Sequence, residues 1–233
     1  MKTIFITVFS VLVLLTDAVI FSECRPEELS KGGGMTQAIA LPAPDKKGRM
    51  SLEQALDKRR SYRQFPDRAL TLKEVSQLLW AVQGETTGGG RRTAPSAGAT
   101  YPLETYLVAG NVKGLNAGLY YYDVRNHQLV LMQTGDLRES LSGAALGQRF
   151  IAEAPASVVL AAVYRRTAGR YGQRAERYVH MEIGHAGQNI YLQAESLGMG
   201  TVAVGAFNDA QIKSILQIQA EPLYLMPIGW RAR

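Results

Sequence analysis

Residues 156–164 read A-S-V-V-L-A-A-V-Y, an apolar run interrupted only by Ser157. A strand with one wet face alternates apolar and polar side chains, so a continuous run of this kind is a strand buried on both faces. Such a strand sits inside a packed body and cannot be an edge. Residues 171–197 follow as one long helix, with Ile183, Ala186, Ile190, Ala194 and Leu197 on a single apolar stripe.

The remaining segments fill in around that core. Ser51-Leu52-Glu53-Gln54 and Thr71-Leu72-Lys73-Glu74 are capping boxes, in which the hydroxyl and the residue three positions on satisfy each other's backbone N–H groups. They open one helix with Leu52, Ala55 and Leu56 on its apolar face and a second with Leu72, Val75, Leu78, Leu79 and Val82. Strands are expected over Glu104–Ala109, Thr201–Val204 and Leu223–Ile228. A hairpin is expected from Leu119–Val124 and His127–Gln133 around Arg125-Asn126. Short helices are expected from Asp136 to about Ala145 and after the Asn208 cap. Helices and strands do not alternate strictly, which points to an α+β fold over a doubly wound sheet. No G-x-G-x-x-G follows a strand, which argues against a Rossmann site.

The ends of the chain look different from its middle. After Lys2, residues 4–15 are almost wholly apolar, the length of a signal-peptide core and short for a membrane span. Ser22-Glu23-Cys24 offers small residues before a cut at Arg25. Residues 1–24 therefore read as an export signal, with an uncleaved membrane anchor as the alternative, placing the protein outside the cytoplasm or on a membrane. Pro26, Gly32-Gly33-Gly34, Pro42 and Pro44 mark 25–50 as a linker, so a single folded domain is expected over 51–233. Cys24 is the single cysteine, so no internal disulfide can form. The net charge is +6 from 26 basic and 20 acidic residues. The arginines come in scattered pairs, which favours a discrete anion site, and no nucleic-acid motif is present.

Four stretches carry candidate chemistry. Arg59-Arg60-Ser61-Tyr62-Arg63 puts three guanidinium groups and a hydroxyl at the end of the first helix. Arginine pairs with phosphate in a bidentate way, but cations at a helix C-terminus are also favourable without a ligand. Pro95, Ser96 and Gly98 lie in a loop of small residues that follows Gly88-Gly89-Gly90. Such a backbone can lie close to a flat ligand, or can be a plain surface loop. Gly198 to Phe207 leads from a strand into a capped helix, either a donor for an electron-rich atom or an ordinary connection. Pro227-Ile228-Gly229-Trp230-Arg231-Ala232-Arg233 ends the chain with two arginines.

Taken together, Arg59–Arg63, Ala94–Glu104, Gly198–Phe207 and Pro227–Gly229 resemble the nitroreductase superfamily of FMN-dependent oxidoreductases, in particular its SagB/ThcOx-type branch. The likeness spans roughly residues 50–230. It implies an intertwined homodimer, with a central, mainly antiparallel sheet flanked by helices and FMN at the subunit interface. It implies that Arg59, Ser61 and Arg63, with Arg60 alongside, hold the FMN phosphate and ribityl chain. Pro95, Ser96 and Gly98 would approach the flavin from the partner subunit. The Gly205–Ala206 backbone would lie by the ring, and Arg231, with Arg233, would close on the phosphate. It further implies a ping-pong cycle from a reductant such as NADH or NADPH to a small organic acceptor, with no protein residue as nucleophile. The alternative on the same scaffold is a flavin-binding protein without turnover. Ala99 and Tyr101 depart from the asparagine and glutamine of many members, and no Lys–Tyr pair of the azole-forming branch is placed.

Other chemistries fit less well. A serine hydrolase needs G-x-S-x-G, and Ala94-Pro95-Ser96-Ala97-Gly98 lacks its first glycine. His180 and His185 would lie about 140° apart on a helix, poorly placed to share a metal. Residues 165–174, rich in arginine, are expected to form a mobile basic loop near the site mouth, either selecting an anion or only solvated.

Overall fold

The computed structural model describes residues 38–87 and 89–232. The export or anchor segment 1–24, the first part of the 25–50 linker and Arg233 lie outside the described residues. In chain order the elements are β1 (Ala38–Ala40), α1 (Leu52–Lys58), β2 (Leu70–Thr71), α2 (Leu72–Gln83), β3 (Glu85–Thr87), β4 (Arg91–Arg92), β5 (Leu103–Ala109), β6 (Val112–Lys113), β7 (Gly118–Asp123) and β8 (Gln128–Thr134). Then come α3 (Arg138–Ala144), α4 (Phe150–Glu153), β9 (Ala156–Ala162), α5 (Tyr164–Tyr171), α6 (Ala175–Ser196), β10 (Met199–Thr201), α7 (Asp209–Leu216) and β11 (Glu221–Trp230).

Seven strands form one sheet in the order β1-β8-β7-β5-β9-β11-β10, and every neighbouring pair is antiparallel. The fold is α+β, as the element pattern implied. All of β9 is buried, and its side chains divide between two cores. Val158 and Leu160 face one core with Val75, Leu79 and Val82 of α2 and Val179, Ile183 and Ile190 of α6. Val159 and Ala161 face the other, with Leu141 of α3, Ile151 of α4 and Ile212 and Leu216 of α7. Each fully buried Val or Leu here contributes roughly 1.5–3 kcal/mol, so the apolar run fixes the middle layer of a helix–sheet–helix sandwich.

Both capping boxes form. Ser51 Oγ accepts from Gln54 N at 3.2 Å and Gln54 Oε1 accepts from Ser51 N at 3.3 Å. Thr71 and Glu74 make the same exchange at the start of α2.

Several expectations are corrected. On α1 only Ala55 is buried; Leu52 and Leu56 are 60% and 50% exposed, because this two-turn helix touches the body along a narrower stripe than its sequence offers. The linker expected over 25–50 is replaced, from Ala38 onward, by a fastened strap. β1 pairs with β8, and Leu41 N donates to His127 O. The Gln77 side chain makes two hydrogen bonds to the Asp45 backbone. Ser76 links Pro42 O to His127, whose other ring nitrogen meets Tyr122. Around the glycine run, β3 and β4 pair as a small hairpin. The basic segment 165–174 is no loop: α5 and a 3-10 turn (Gly172–Arg174) occupy it, and α6 starts only at Ala175, because Gly172 turns the chain at φ 55°.

Candidate functional site

The first helix delivers Arg59 as its C-terminal cap, and the chain then runs extended beside β10. Ser61 bridges Thr201 in parallel register, and Tyr62 N donates to Thr201 O at 2.9 Å. Gly200 permits this: a Cβ there would come 2.6 Å from the Tyr62 Cβ. The Arg59 guanidinium carbon stands 5.2 Å from the centre of the Tyr191 ring, and the Tyr191 hydroxyl lies 3.0 Å from Ser61 Oγ. The same hydroxyl accepts from Ala203 N at 2.8 Å. One phenol on α6 therefore joins the arginine-rich turn to the strand end that leads to Gly205.

The arginines of this corner are not equivalent. Arg60 turns its guanidinium onto the Asp57 and Arg59 carbonyls at 2.9 and 2.8 Å, capping α1. Arg63 is exposed. Among the described residues no carboxylate forms an ion pair with Arg59, Arg60 or Arg63. Arg231 is already engaged. It donates to Tyr62 Oη at 3.0 Å and lies 2.9 Å from Glu195 Oε1 and 3.3 Å from Glu195 O. Arg231 closes on this corner, then, with a buried carboxylate at its back.

Beyond Ala203, Val204 exchanges two backbone hydrogen bonds with Leu225 and the chain leaves the sheet. Gly205 and Ala206 are exposed there. Ala206 O accepts from Gln148 Nε2 at 3.0 Å, while neither N–H meets an acceptor among the described residues. Two open backbone donors therefore lie just past the strand end that Tyr191 ties to Ser61.

The small-residue loop lies elsewhere. Gly98, Ala99 and Tyr101 all take positive φ (58°, 55° and 43°). For Ala and Tyr this backbone costs about 1–3 kcal/mol each and survives only where the surroundings hold it. Ser96 Oγ accepts from Tyr101 N at 2.9 Å. From α5, Arg170 donates to Gly98 O, Arg166 to Tyr101 O, and Thr167 meets the Thr100 hydroxyl. The Tyr101 ring carries the Arg92 guanidinium at 4.4 Å. Arg166 also pairs with Glu104 at 2.6 Å, and Glu104 accepts from Tyr106. Below the loop, the Glu182 carboxyl on α6 is 2% exposed. Burial pushes it up to about 7, against the opposing pull of the Ser96 hydroxyl and the Arg92 guanidinium.

The sequence-predicted residues thus fall into two groups within one chain. Arg59 and Ser61 meet at Tyr191, whose hydroxyl also binds Ala203, two residues before Gly205, and Arg231 reaches the same turn through Tyr62. Pro95, Ser96 and Gly98 belong to the separate loop that Arg166, Thr167 and Arg170 of α5 clamp. At about 1.5 Å per residue, Glu182 and Tyr191 stand ~13 Å apart along α6. Sequence reasoning missed Tyr191, Glu195 and Glu182. Their positions on one helix, polar side chains interrupting the apolar stripe beside Ile183, Ile190 and Ala194, are the signal that marked them. His180 is not a partner of Glu182; it bonds the Tyr164 hydroxyl at 2.8 Å.

Comparison with known proteins gives a consistent result. Residues 56–230 match the Nitroreductase family. A Methanocaldococcus jannaschii protein provisionally named a nitroreductase, MJ1384, is 48% identical over 196 residues, covering 84% of this chain and 98% of its own. The microcin B17-processing protein McbC of Escherichia coli is 27% identical over 164 residues, 64% of this chain; the match spans 57% of McbC. Among solved structures, a Ralstonia eutropha nitroreductase-like protein superposes with TM-score 0.75 at 33% identity, covering 86% of this chain and 92% of its own. A Vibrio harveyi NADPH:FMN oxidoreductase, solved with NAD+, shares the fold at TM-score 0.57 and 19% identity, covering 78% of this chain and 69% of its own.

Proposed function

Because the chain belongs to the nitroreductase family, we propose that it is an FMN-dependent oxidoreductase, working as a homodimer and moving electrons from NAD(P)H to a small organic acceptor. The carrying observation is the Tyr191 hydroxyl, which binds Ser61 Oγ and Ala203 N at once. It ties an anion corner to the segment that leads, two residues on, to a pair of open backbone donors.

That donor set suits a phosphorylated flavin. Arg59 and Ser61 offer charge-assisted and neutral donors to a phosphate, with exposed Arg63 adding positive charge. The Gly205 and Ala206 N–H groups are placed to donate to an electron-rich ring atom. Bound there, FMN would supply the electron-pair chemistry, accepting from a nicotinamide and giving to an organic acceptor. The chain's own residues bind, orient and exclude water; no side chain acts as a nucleophile. The Pro95–Gly98 loop stands away from Ser61 in its own subunit. A two-fold axis brings one subunit's loop to the other's corner and builds two equal sites.

The test is direct. Residues 38–233 are purified, titrated with FMN and mixed with NADH or NADPH without oxygen. Tight, quenched flavin that bleaches supports the reading. Flavin that binds and does not bleach favours a binding role or another donor, and a chain that takes up no FMN overturns it. A monomer in solution that binds FMN as tightly as the dimer would remove the shared site. Export or anchoring through residues 1–24 is proposed on the sequence alone, and fractionation of cells carrying the full chain tests it.

A further inference from the structure

Arg231 is a cation beside the anion corner whose charge is already matched. One of its terminal nitrogens donates to the Tyr62 hydroxyl at 3.0 Å and lies 2.9 Å from Glu195 Oε1; the other donates to Glu195 O at 3.3 Å. Its guanidinium carbon also stands 5.1 Å from the centre of the Tyr62 ring. Glu195 is 2% exposed, so the cation faces a carboxylate shielded from water. Turning Arg231 outward onto a phosphate would strand that carboxylate, and an uncompensated buried charge is costly. Held where it is, the guanidinium presents little net charge to a second anion, because Glu195 balances it at short range.

What the pair holds is Tyr62. This residue is half-buried between Ser61 and Arg63, both of which are exposed. Its amide donates to Thr201 O at 2.9 Å, and its Cβ packs so closely on Gly200 that a Cβ there would come within 2.6 Å of it. These contacts fix the root of the side chain against β10. Arg231 fixes its tip. The brace comes from rigid elements: Trp230, just before Arg231, pairs with Met199 in the sheet, and Glu195 ends the long helix α6. A tyrosine pinned at root and tip keeps the turn from rolling, so its neighbours Ser61 and Arg63 keep their direction.

We propose that Arg231 is a positioning residue of the Arg59–Arg63 turn, acting through the Tyr62 hydroxyl with Glu195 as its counter-charge, and that it does not ligate the phosphate. This rests on the reading of that turn as the phosphate site of a bound flavin. It departs from the direct phosphate contact that the family resemblance implies for Arg231, and leaves the phosphate to Arg59, Ser61 and Arg63.

Two readouts test this, one with FMN and one without. Tyr62→Phe removes only the hydroxyl and keeps the ring on Gly200. Arg231→Ala/Glu195→Gln removes the brace without stranding a buried charge. Each should weaken FMN about ten-fold, the loss of one ordinary hydrogen bond, and the triple variant should be no weaker than the double, because both changes break the same link. Riboflavin affinity should stay at the parent value in all of them. Without any ligand, hydrogen exchange at the residue 62 amide should quicken about ten-fold in both variants, with amides of β9 and α6 as the control that the chain still folds. Parent-like FMN affinity in Tyr62→Phe, or losses that multiply in the triple variant, would show Arg231 on the phosphate itself and overturn the proposal. An equal loss for riboflavin would reduce the brace to general stability and also overturn it. If the parent chain takes up no FMN, the flavin reading fails on its own. Exchange at residue 62 then still decides whether Arg231 holds the turn, and an unchanged rate overturns that role.

Discussion

Arg231 and Glu195 face each other across the end of the sheet, guanidinium to carboxylate at 2.9 Å. Glu195 is 2% exposed and its Oε1 takes no well-aligned hydrogen bond, so charge holds the pair. Removing one partner of a buried pair leaves the other uncompensated, which costs about 3–5 kcal/mol, more than the pair itself contributes. Arg231→Ala should therefore lower stability by roughly 3 kcal/mol in urea unfolding, with the midpoint moved and the slope kept. Arg231→Ala/Glu195→Gln should recover a good part of that loss, because no charge is then stranded. If Arg231 served only a phosphate, the single variant would be as stable as the parent and differ in FMN affinity alone.

Tyr191→Phe keeps the ring under Arg59 and removes the oxygen shared by Ser61 and Ala203. An unsatisfied partly buried donor costs about 1–3 kcal/mol. The expected outcome is a modest fall in stability and about ten-fold weaker FMN binding, read by flavin fluorescence, with the stacked arginine unaffected. Full FMN affinity in Tyr191→Phe would mean the two halves of the corner are set independently.

What the sequence made legible is what local rules decide. The capping boxes at Ser51 and Thr71, the apolar run in β9 and the cap at Asn208 are satisfied within a few residues, and all of them appear where expected. What it hid depends on distant partners. Leu56 looks like a core residue until no element lies over it. The strap at residues 38–45 looks like a linker because its fasteners, Gln77 and His127, are 32 and 85 residues away in sequence. The 165–174 segment reads as loop by charge, yet Arg166, Thr167 and Arg170 occupy one face of a helix and spend their polar atoms on residues 98–101. In the site, the motif residues Arg59 and Ser61 were visible, whereas Tyr191 and Glu195 were not, since they join it only through the return of α6 past β10.

Gly200→Ala tests the seam between the arginine-rich turn and β10. The added methyl would sit 2.6 Å from the Tyr62 Cβ and 2.8 Å from its Cγ. That is a clash with the root of a side chain, which swinging its tip cannot relieve. Overpacking of this kind costs about 1–3 kcal/mol. The Ser61–Thr201 bridge should open, and FMN affinity should fall with stability. At Gly205→Ala the added methyl would lie 3.9 Å from the Tyr224 ring and 4.0 Å from Leu223 O, so stability should be nearly unchanged and the variant serves as the control.

Arg59 and Arg63 should contribute to FMN binding through charge. Arg59→Ala should weaken FMN about ten- to hundred-fold, in keeping with the loss of a charge-assisted contact worth about 1.5–3 kcal/mol. Exposed Arg63 should matter less, and its effect should shrink in high salt, where the screening length falls to about 3 Å at 1 M. Affinity for riboflavin, which lacks the phosphate, should be unchanged in both variants. An equal loss for riboflavin and FMN would place these arginines elsewhere.

Glu182 gives a pH dependence of stability whose sign is fixed by its shift. Burial raises the carboxyl from an ordinary 4.5 to about 7, so between those values the folded chain holds a proton that the unfolded chain has released. Stability falls with rising pH wherever the folded state binds more protons. The contribution of Glu182 is therefore fully present below about pH 4.5 and is lost as pH rises through about 7. At roughly 1.4 kcal/mol per pKa unit the whole window amounts to about 3.5 kcal/mol. Glu182→Gln cannot release a proton, so the difference in unfolding free energy between it and the parent should grow by that amount from pH 4.5 to pH 8, in favour of the variant. The same comparison at several pH values separates this from a packing change, which would shift both curves equally. A constant difference across the range would show that Glu182 is ionised in the folded chain throughout, with Arg92 outweighing burial.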